Sequence, residues 1–136
     1  MSADVVHGEG VVRITNCEYQ WGLSFDDRGR LVRASGTIVV LEIRRESIAA
    51  YAGTRLWLEA TSADIAFVGL GGLLQPRGHR GFILMKWELW STLQIALSSG
   101  AKPIFKSYGL SKAALVSQLQ APLIEMGYSV LMLGQS

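Results

Sequence analysis

Hydrophobic and polar positions divide the chain into segments of different period. The stretch VVRITNCEYQWGLSF (11–25) is rich in β-branched and aromatic residues, and RLVRASGTIVVLEI (30–43) repeats that chemistry after the turn signal DDRG. Two strands joined by a tight turn are expected, an N-terminal β-hairpin. The turn accounts for Asp26 and Asp27, whose carboxylates can bond turn amides, whereas a catalytic carboxylate pair would need a pocket around them. In RRESIAAYAGTRLWLEATS (44–62), Ile48, Tyr51, Ala52, Leu56 and Glu59 keep helical spacing in part, and Gly53 and Thr54 weaken the middle. A short or broken helix is predicted there. ADIAFVGL (63–70) is an apolar run of strand length, as in a strand covered on both faces. GGLLQPRGHRG (71–81) holds so many glycines, with Pro76, that it reads as a loop.

The segment SSGAKP (98–103) decides the architecture, because it is either a hairpin turn or the end of a helix entering a strand. Read as a helix, WELWSTLQIALSSG (87–100) gathers Leu89, Trp90, Leu93, Ala96 and Leu97 on one face and Glu88, Ser91, Thr92, Ser98 and Ser99 on the other, with Ile95 out of pattern. Gly100 would then follow the helix and Lys102 would lie near its negative end. Read as a strand, Leu93, Ile95 and Leu97 alternate, but the alternation fails before Thr92. The helix explains more residues and is the expectation. KPIFKSY (102–108) follows as a short strand, with Pro103 at its start. LSKAALVSQLQAPLIEMG (110–127) reads as a helix capped by Ser111, with Leu115, Leu119 and either Leu123 or Met126 on one face, kinked or ended early by Pro122 and stopped by Gly127. YSVLML (128–133) is a last strand, so the C-terminal third is a strand, helix and strand crossover with parallel strands.

The fold class expected is α/β or α+β, an N-terminal β-hairpin joined to a mixed sheet with helices packed on it, in one domain spanning residues 1–136. The rival keeps SSGAKP as a hairpin and gives a mostly antiparallel barrel capped by one C-terminal helix, similar to pleckstrin-homology-like domains.

Composition narrows the function. With 49% hydrophobic and 18% charged residues the chain has the makeup of a folded protein, and the apolar excess suits strands buried on both faces or a self-association surface. A net charge of +2 is too small to argue for nucleic acid. Between Ile65 and Ile124, however, Arg77, Arg80, Lys86, Lys102, Lys106 and Lys112 face only Glu88 among acids, a mild positive field that favours an anionic ligand or partner. The apolar runs are shorter than the roughly 20 residues of a bilayer helix, and MSADVVHGEG lacks a charged leader and apolar block, so no transmembrane segment and a cytoplasmic location are expected.

The candidate chemistry is sparse. IAFVGLGG resembles the start of a dinucleotide-binding unit, but Pro76, Gly78 and Gly81 interrupt the helix that should follow, and no acidic residue closes a second strand. No cofactor is therefore expected. His7 and His79 are too scattered for a metal site, and Cys17 has no histidine or lysine beside it in sequence. The anion-binding candidates are Gly69, Gly71 and Gly72 as amide donors, Arg77, His79 and Arg80 in the following stretch, and Lys106, Tyr108 and Ser111 between a strand and a helix start. They would converge if the strands around Ile65–Val68 and Ile104–Lys106 run parallel, since open α/β sheets bind ligands at that rim. With no nucleophile and base, the expected function is a non-catalytic regulatory or protein-interaction domain that self-associates. The alternative is an enzyme or enzyme subunit that binds a phosphorylated small molecule.

Overall fold

The computed structural model describes residues 2–29, 31–77 and 86–133. They form a mixed, mostly antiparallel nine-stranded sheet with one α-helix, an α+β architecture. The strands are β1 (Asp4–Gly8), β2 (Val11–Phe25), β3 (Leu31–Ile43), β4 (Ser47–Ala52), β5 (Arg55–Thr61), β6 (Ile65–Arg77), β7 (Lys86–Leu97), β8 (Ile104–Tyr108) and β9 (Val130–Met132). Helix α1 (Lys112–Glu125) lies between β8 and β9, and a single 3-10 turn, Ser62–Asp64, joins β5 to β6. Hydrogen bonds link the sheet in the order β5-β4-β3-β2-β8-β7-β6-β9, with β1 paired to β2 beside β8.

The N-terminal hairpin is the β2–β3 pair, and β1 adds a strand that the residue pattern did not announce. Three expectations are corrected. Residues 44–61 form no helix: β4 and β5 pair antiparallel across a turn at Gly53 and Thr54. Ile48, Ala49 and Ala50 are consecutive buried residues, which mimics a helical cluster, although Ile48 and Ala50 belong to the core face and Ala49 is enclosed between Glu42 and Glu59, its register partners. Residues 71–77 are strand rather than loop, the continuation of β6 against β7. Residues 87–97 are strand β7 rather than helix.

The last correction has a clear physical cause. Ser91, Leu93 and Ile95 all point into the core, and Ser91 is 0% exposed. Trp90, on the opposite face, carries the Lys106 ammonium 4.2 Å from its ring centroid. A small polar residue inside and a large aromatic one outside invert the usual hydropathy, so alternation fails on paper where it holds in space. SSGAKP is the turn of the β7–β8 hairpin. Gly100 adopts φ 99°, a left-handed conformation that glycine takes without a Cβ penalty.

The C-terminal helix is where the sequence puts it. Ser111 caps it, Pro122 sits inside without ending it before Glu125, and Leu115, Leu119 and Leu123 are buried. β8 and β9 run in the same direction, as a crossover requires, but β7 and β6 lie between them, and β9 pairs parallel with β6. With one helix, the sheet is barer than helices packed on it would make it. The hairpin at 98–103 and the lone C-terminal helix are shared with the rival fold, yet the hydrogen-bonded path is open, ending at β5 and β9.

One core holds the layers together. Ile14, Cys17, Val39, Leu41 and Ile43 of β2 and β3 meet Val68, Leu70, Leu93, Ile95 and Phe105 of β6 to β8 and the buried leucines of α1. Tyr19 stacks on Phe105 with ring centroids 5.1 Å apart. Each fully buried Val, Leu, Ile or Phe side chain of this core contributes about 1.5–3 kcal/mol relative to exposure. Among the described residues, no helix is long and apolar enough to cross a membrane.

Candidate functional site

β6 and β8 run in the same direction because both pair antiparallel with β7, so the condition for a shared rim is met. Register partners in an antiparallel ladder share a face, and the ladder sorts the candidate residues onto two faces. Gly71, Thr92 and Lys106 form one row on the face away from α1, and Trp90 and Tyr108 belong to the next row on that face. Gly72, Ser91 and Ser107 form a row on the face that α1 covers. Ser111 belongs to α1 and accepts a hydrogen bond from the Ala114 amide at 3.0 Å. Lys106 and Tyr108 therefore come together on one face, while the sheet separates them from Ser111.

Each glycine of β6 has a neighbour in the space a side chain would take. A Cβ on Gly69 would lie 2.6 Å from a methyl of Leu133, and one on Gly71 would lie 3.0 Å from the Leu133 Cβ. On the other face, a Cβ on Gly72 would meet the Lys112 Cβ at 2.8 Å and the Trp90 carbonyl oxygen at 3.0 Å. The glycines let the chain after β9 cross one face and the start of α1 approach the other. Lys112 ties the two together, donating from Nζ to the Leu133 carbonyl at 3.3 Å.

Arg77 is the last residue of β6, four residues beyond the row that holds Tyr108, or about 13 Å at strand spacing. His79 and Arg80 lie outside the described residues. Asp26 and Asp27 sit at the β2–β3 turn, where the Asp26 carboxylate accepts from the Arg28 amide at 2.9 Å. Burial pushes the Cys17 thiol up to about 12, and its Sγ donates to the Val39 carbonyl at 3.4 Å, so it is a packed thiol rather than a thiolate nucleophile. Among the described residues, no three His, Cys, Asp or Glu side chains group to hold a metal ion.

Two surface features escaped the residue pattern because residues 44–62 read as a helix. The first is β5, an edge strand whose Arg55, Leu56, Trp57 and Glu59 are exposed. The Arg55 guanidinium stacks over the Trp57 ring at 5.6 Å. The second is a groove of about 390 Å³ beside it, lined by Tyr19, Leu58 and Leu97 with Lys102, Pro103 and Ile104 of the β7–β8 turn. A smaller groove of about 290 Å³ continues along Glu59, Ala60 and Asp64 toward Ser98 and Ser99. Alternation of Leu56 and Leu58 with Arg55, Trp57 and Glu59 was the available signal. Compared with known protein families, with curated proteins and with solved structures, the chain matches none of them.

Proposed function

We propose that this chain is a small non-catalytic interaction domain that associates with copies of itself and works by binding rather than by chemistry. The observation that carries this reading is the pair of long hairpin arms. In β2–β3, the ladder runs from Gln20 and Gly36 out to Phe25 and Leu31, and among the described residues no third strand pairs there. In β6–β7, it runs from Leu73 and Trp90 out to Arg77 and Lys86, and beyond Trp90 neither β8 nor β9 accompanies it. A strand edge of this kind presents a row of amides and carbonyls that another chain can complete. Leu23 pairs with Ala34, Phe25 with Leu31 and Leu74 with Leu89, so the arms are apolar in sequence as well as open at the edge. The glycines of β6, closed in by Leu133 and Lys112, favour packing over phosphate binding. Sedimentation velocity across a hundredfold concentration range tests the proposal: mass should rise with concentration, and a fixed monomer mass at millimolar chain would remove it.

The second reading, binding of a phosphorylated small molecule, has one observation in its favour. Arg77 and Lys86 are register partners at the end of the β6–β7 arm, so the ladder brings two cationic residues into one row. A thermal-shift screen with inorganic phosphate, nucleotides and sugar phosphates tests it. A ligand at 100 times its dissociation constant adds about 2.7 kcal/mol of stability, and that shift should vanish in Arg77→Ala with Lys86→Ala. No shift from any compound removes the second reading and leaves the first.

A further inference from the structure

We propose that the groove between β5 and the β7–β8 turn is a binding site for a small amphipathic carboxylate, which rests its apolar body on Tyr19, Leu58 and Leu97 and its anionic head on Lys102. Such a site stands whether or not the chain self-associates. The groove exists because the sheet parts there. β2 and β8 pair at Glu18 with Lys106 and at Tyr19 with Phe105, after which β2 runs on to Phe25 while β8 begins at Ile104. Three strands carry core-facing rows past this point: Cys17 leads to Tyr19, Ala60 to Leu58 and Ile95 to Leu97, since alternate residues of a strand share a face. The first of each pair is buried, and the second is half-buried and packed against the core. The groove is therefore an opening in the cover of the core. Its volume, about 390 Å³, lies in the range of pockets that hold small molecules, which are apolar with a few polar groups that fix orientation.

Charge selects the ligand. Among the described residues that line the groove, Lys102 is the charged one. It stands exposed on the turn, and among the described residues no carboxylate pairs with it. The Gln20 amide is already committed, donating from Nε2 to Glu18 Oε1 at 3.1 Å. The backbone of the turn is committed as well: Leu97 donates its amide to the Ala101 carbonyl at 2.9 Å and Ile95 to the Pro103 carbonyl at 3.0 Å, and Pro103 has no amide to offer. An anion is met there by the Lys102 ammonium. The adjoining smaller groove carries Glu59 and Asp64, which repel an anion that moves along β5. One anionic head at the Lys102 end followed by an apolar body fits this distribution, whereas a doubly charged phosphate would lack a second cation.

Octanoate and its neutral twin octanamide, titrated at millimolar concentration into isotope-labelled protein and read by amide chemical shifts, test the proposal. Octanoate should move the amides of Tyr19, Leu58, Leu97 and Ile104 in a saturating titration. Octanamide should bind about fivefold more weakly, the upper end for an exposed ion pair. Lys102→Gln should remove that difference with the far-UV circular dichroism unchanged, because the side chain is exposed. Ala101→Trp, which fills the groove from the exposed turn, should abolish binding of both compounds. No shift at these residues, shifts scattered over the surface, or binding that survives Ala101→Trp in a folded chain overturns the site. Equal affinity for the two compounds in wild type, or a preference for octanoate that persists in Lys102→Gln, overturns its assignment to a carboxylate.

Discussion

The two edges of the sheet are built on opposite plans. At one end β9 is three residues long, and the chain around it is locked: Val68 donates its amide to Ser129, Leu133 to Leu70, and the missing side chains of the β6 glycines leave the space that Leu133 and Lys112 occupy. A short edge strand with its flanking chain tied down offers little backbone to another molecule. At the other end β5 is more than twice as long and exposes an aromatic and an aliphatic residue beside two charges. The β9 edge draws its stability from tertiary packing, since α1 lies over β6, β7 and β9 with Leu119 at 0% exposure. The β5 edge holds on mainly through β4, and no strand pairs with its outer side among the described residues. The contrast teaches where substitutions should cost folding and where they should leave it nearly intact.

The largest expected effect lies under α1. Leu119→Ala should destabilise the fold by about 2–5 kcal/mol, the range for a fully buried leucine whose site collapses only in part. Trp57→Ser, measured at a concentration where the chain is monomeric, should stay within about 0.5 kcal/mol, as surface changes usually do. Urea unfolding of both variants checks the pair, and equal losses would erase the distinction between the edges. A sharper form compares glycines within β6. Gly72→Ala should cost about 1–3 kcal/mol, because its Cβ meets a carbonyl oxygen that cannot move without shifting β7. Gly69→Ala should cost less, since Leu133 can turn its side chain aside. Thermal unfolding of the two variants side by side decides this, and the reverse ranking would mean that the chain after β9 is held more firmly than α1.

The smallest effect belongs to the strands between the edges. Glu42 accepts from Arg44 at 2.8 Å and from Arg13 at 3.0 Å, and these hydrogen bonds, Arg44 first, hold its carboxyl below the ordinary carboxylate range. A carboxyl depressed in the folded state adds stability above its unfolded value of about 4.3 and loses it as pH falls through the folded value. Glu42→Gln should therefore cost up to about 1 kcal/mol at pH 7 and nearly nothing at pH 3, read from urea midpoints at the two pH values. A cost independent of pH would assign the loss to packing instead.

How much was legible follows from where each signal lives. The β2–β3 hairpin and α1 were readable because their cues are local: a turn of Asp26 to Gly29, a cap at Ser111, leucines four apart at 115, 119 and 123. The candidate rim was readable in direction, since β6 and β8 do run alike, but not in membership. Lys106 and Ser111 are five residues apart in the chain and on opposite faces of the sheet, which only the ladder with β7 reveals. β7 itself misled, because Ser91 is accepted inside by a hydrogen bond to the Ser107 carbonyl at 3.5 Å and Trp90 is satisfied outside by Lys106. Each of those partners is distant in sequence.

By itself the sequence determined the folded class, the hairpin, the capped C-terminal helix and the direction of the final crossover, all set by neighbours within a few residues. The tertiary structure decided which apolar residues were strand, that β6 runs through its glycines instead of stopping at them, and that Arg55 to Glu59 form an edge rather than part of a helix. The reason is that a strand has no internal hydrogen bonds: its existence and its faces depend on partners that the chain brings from far away.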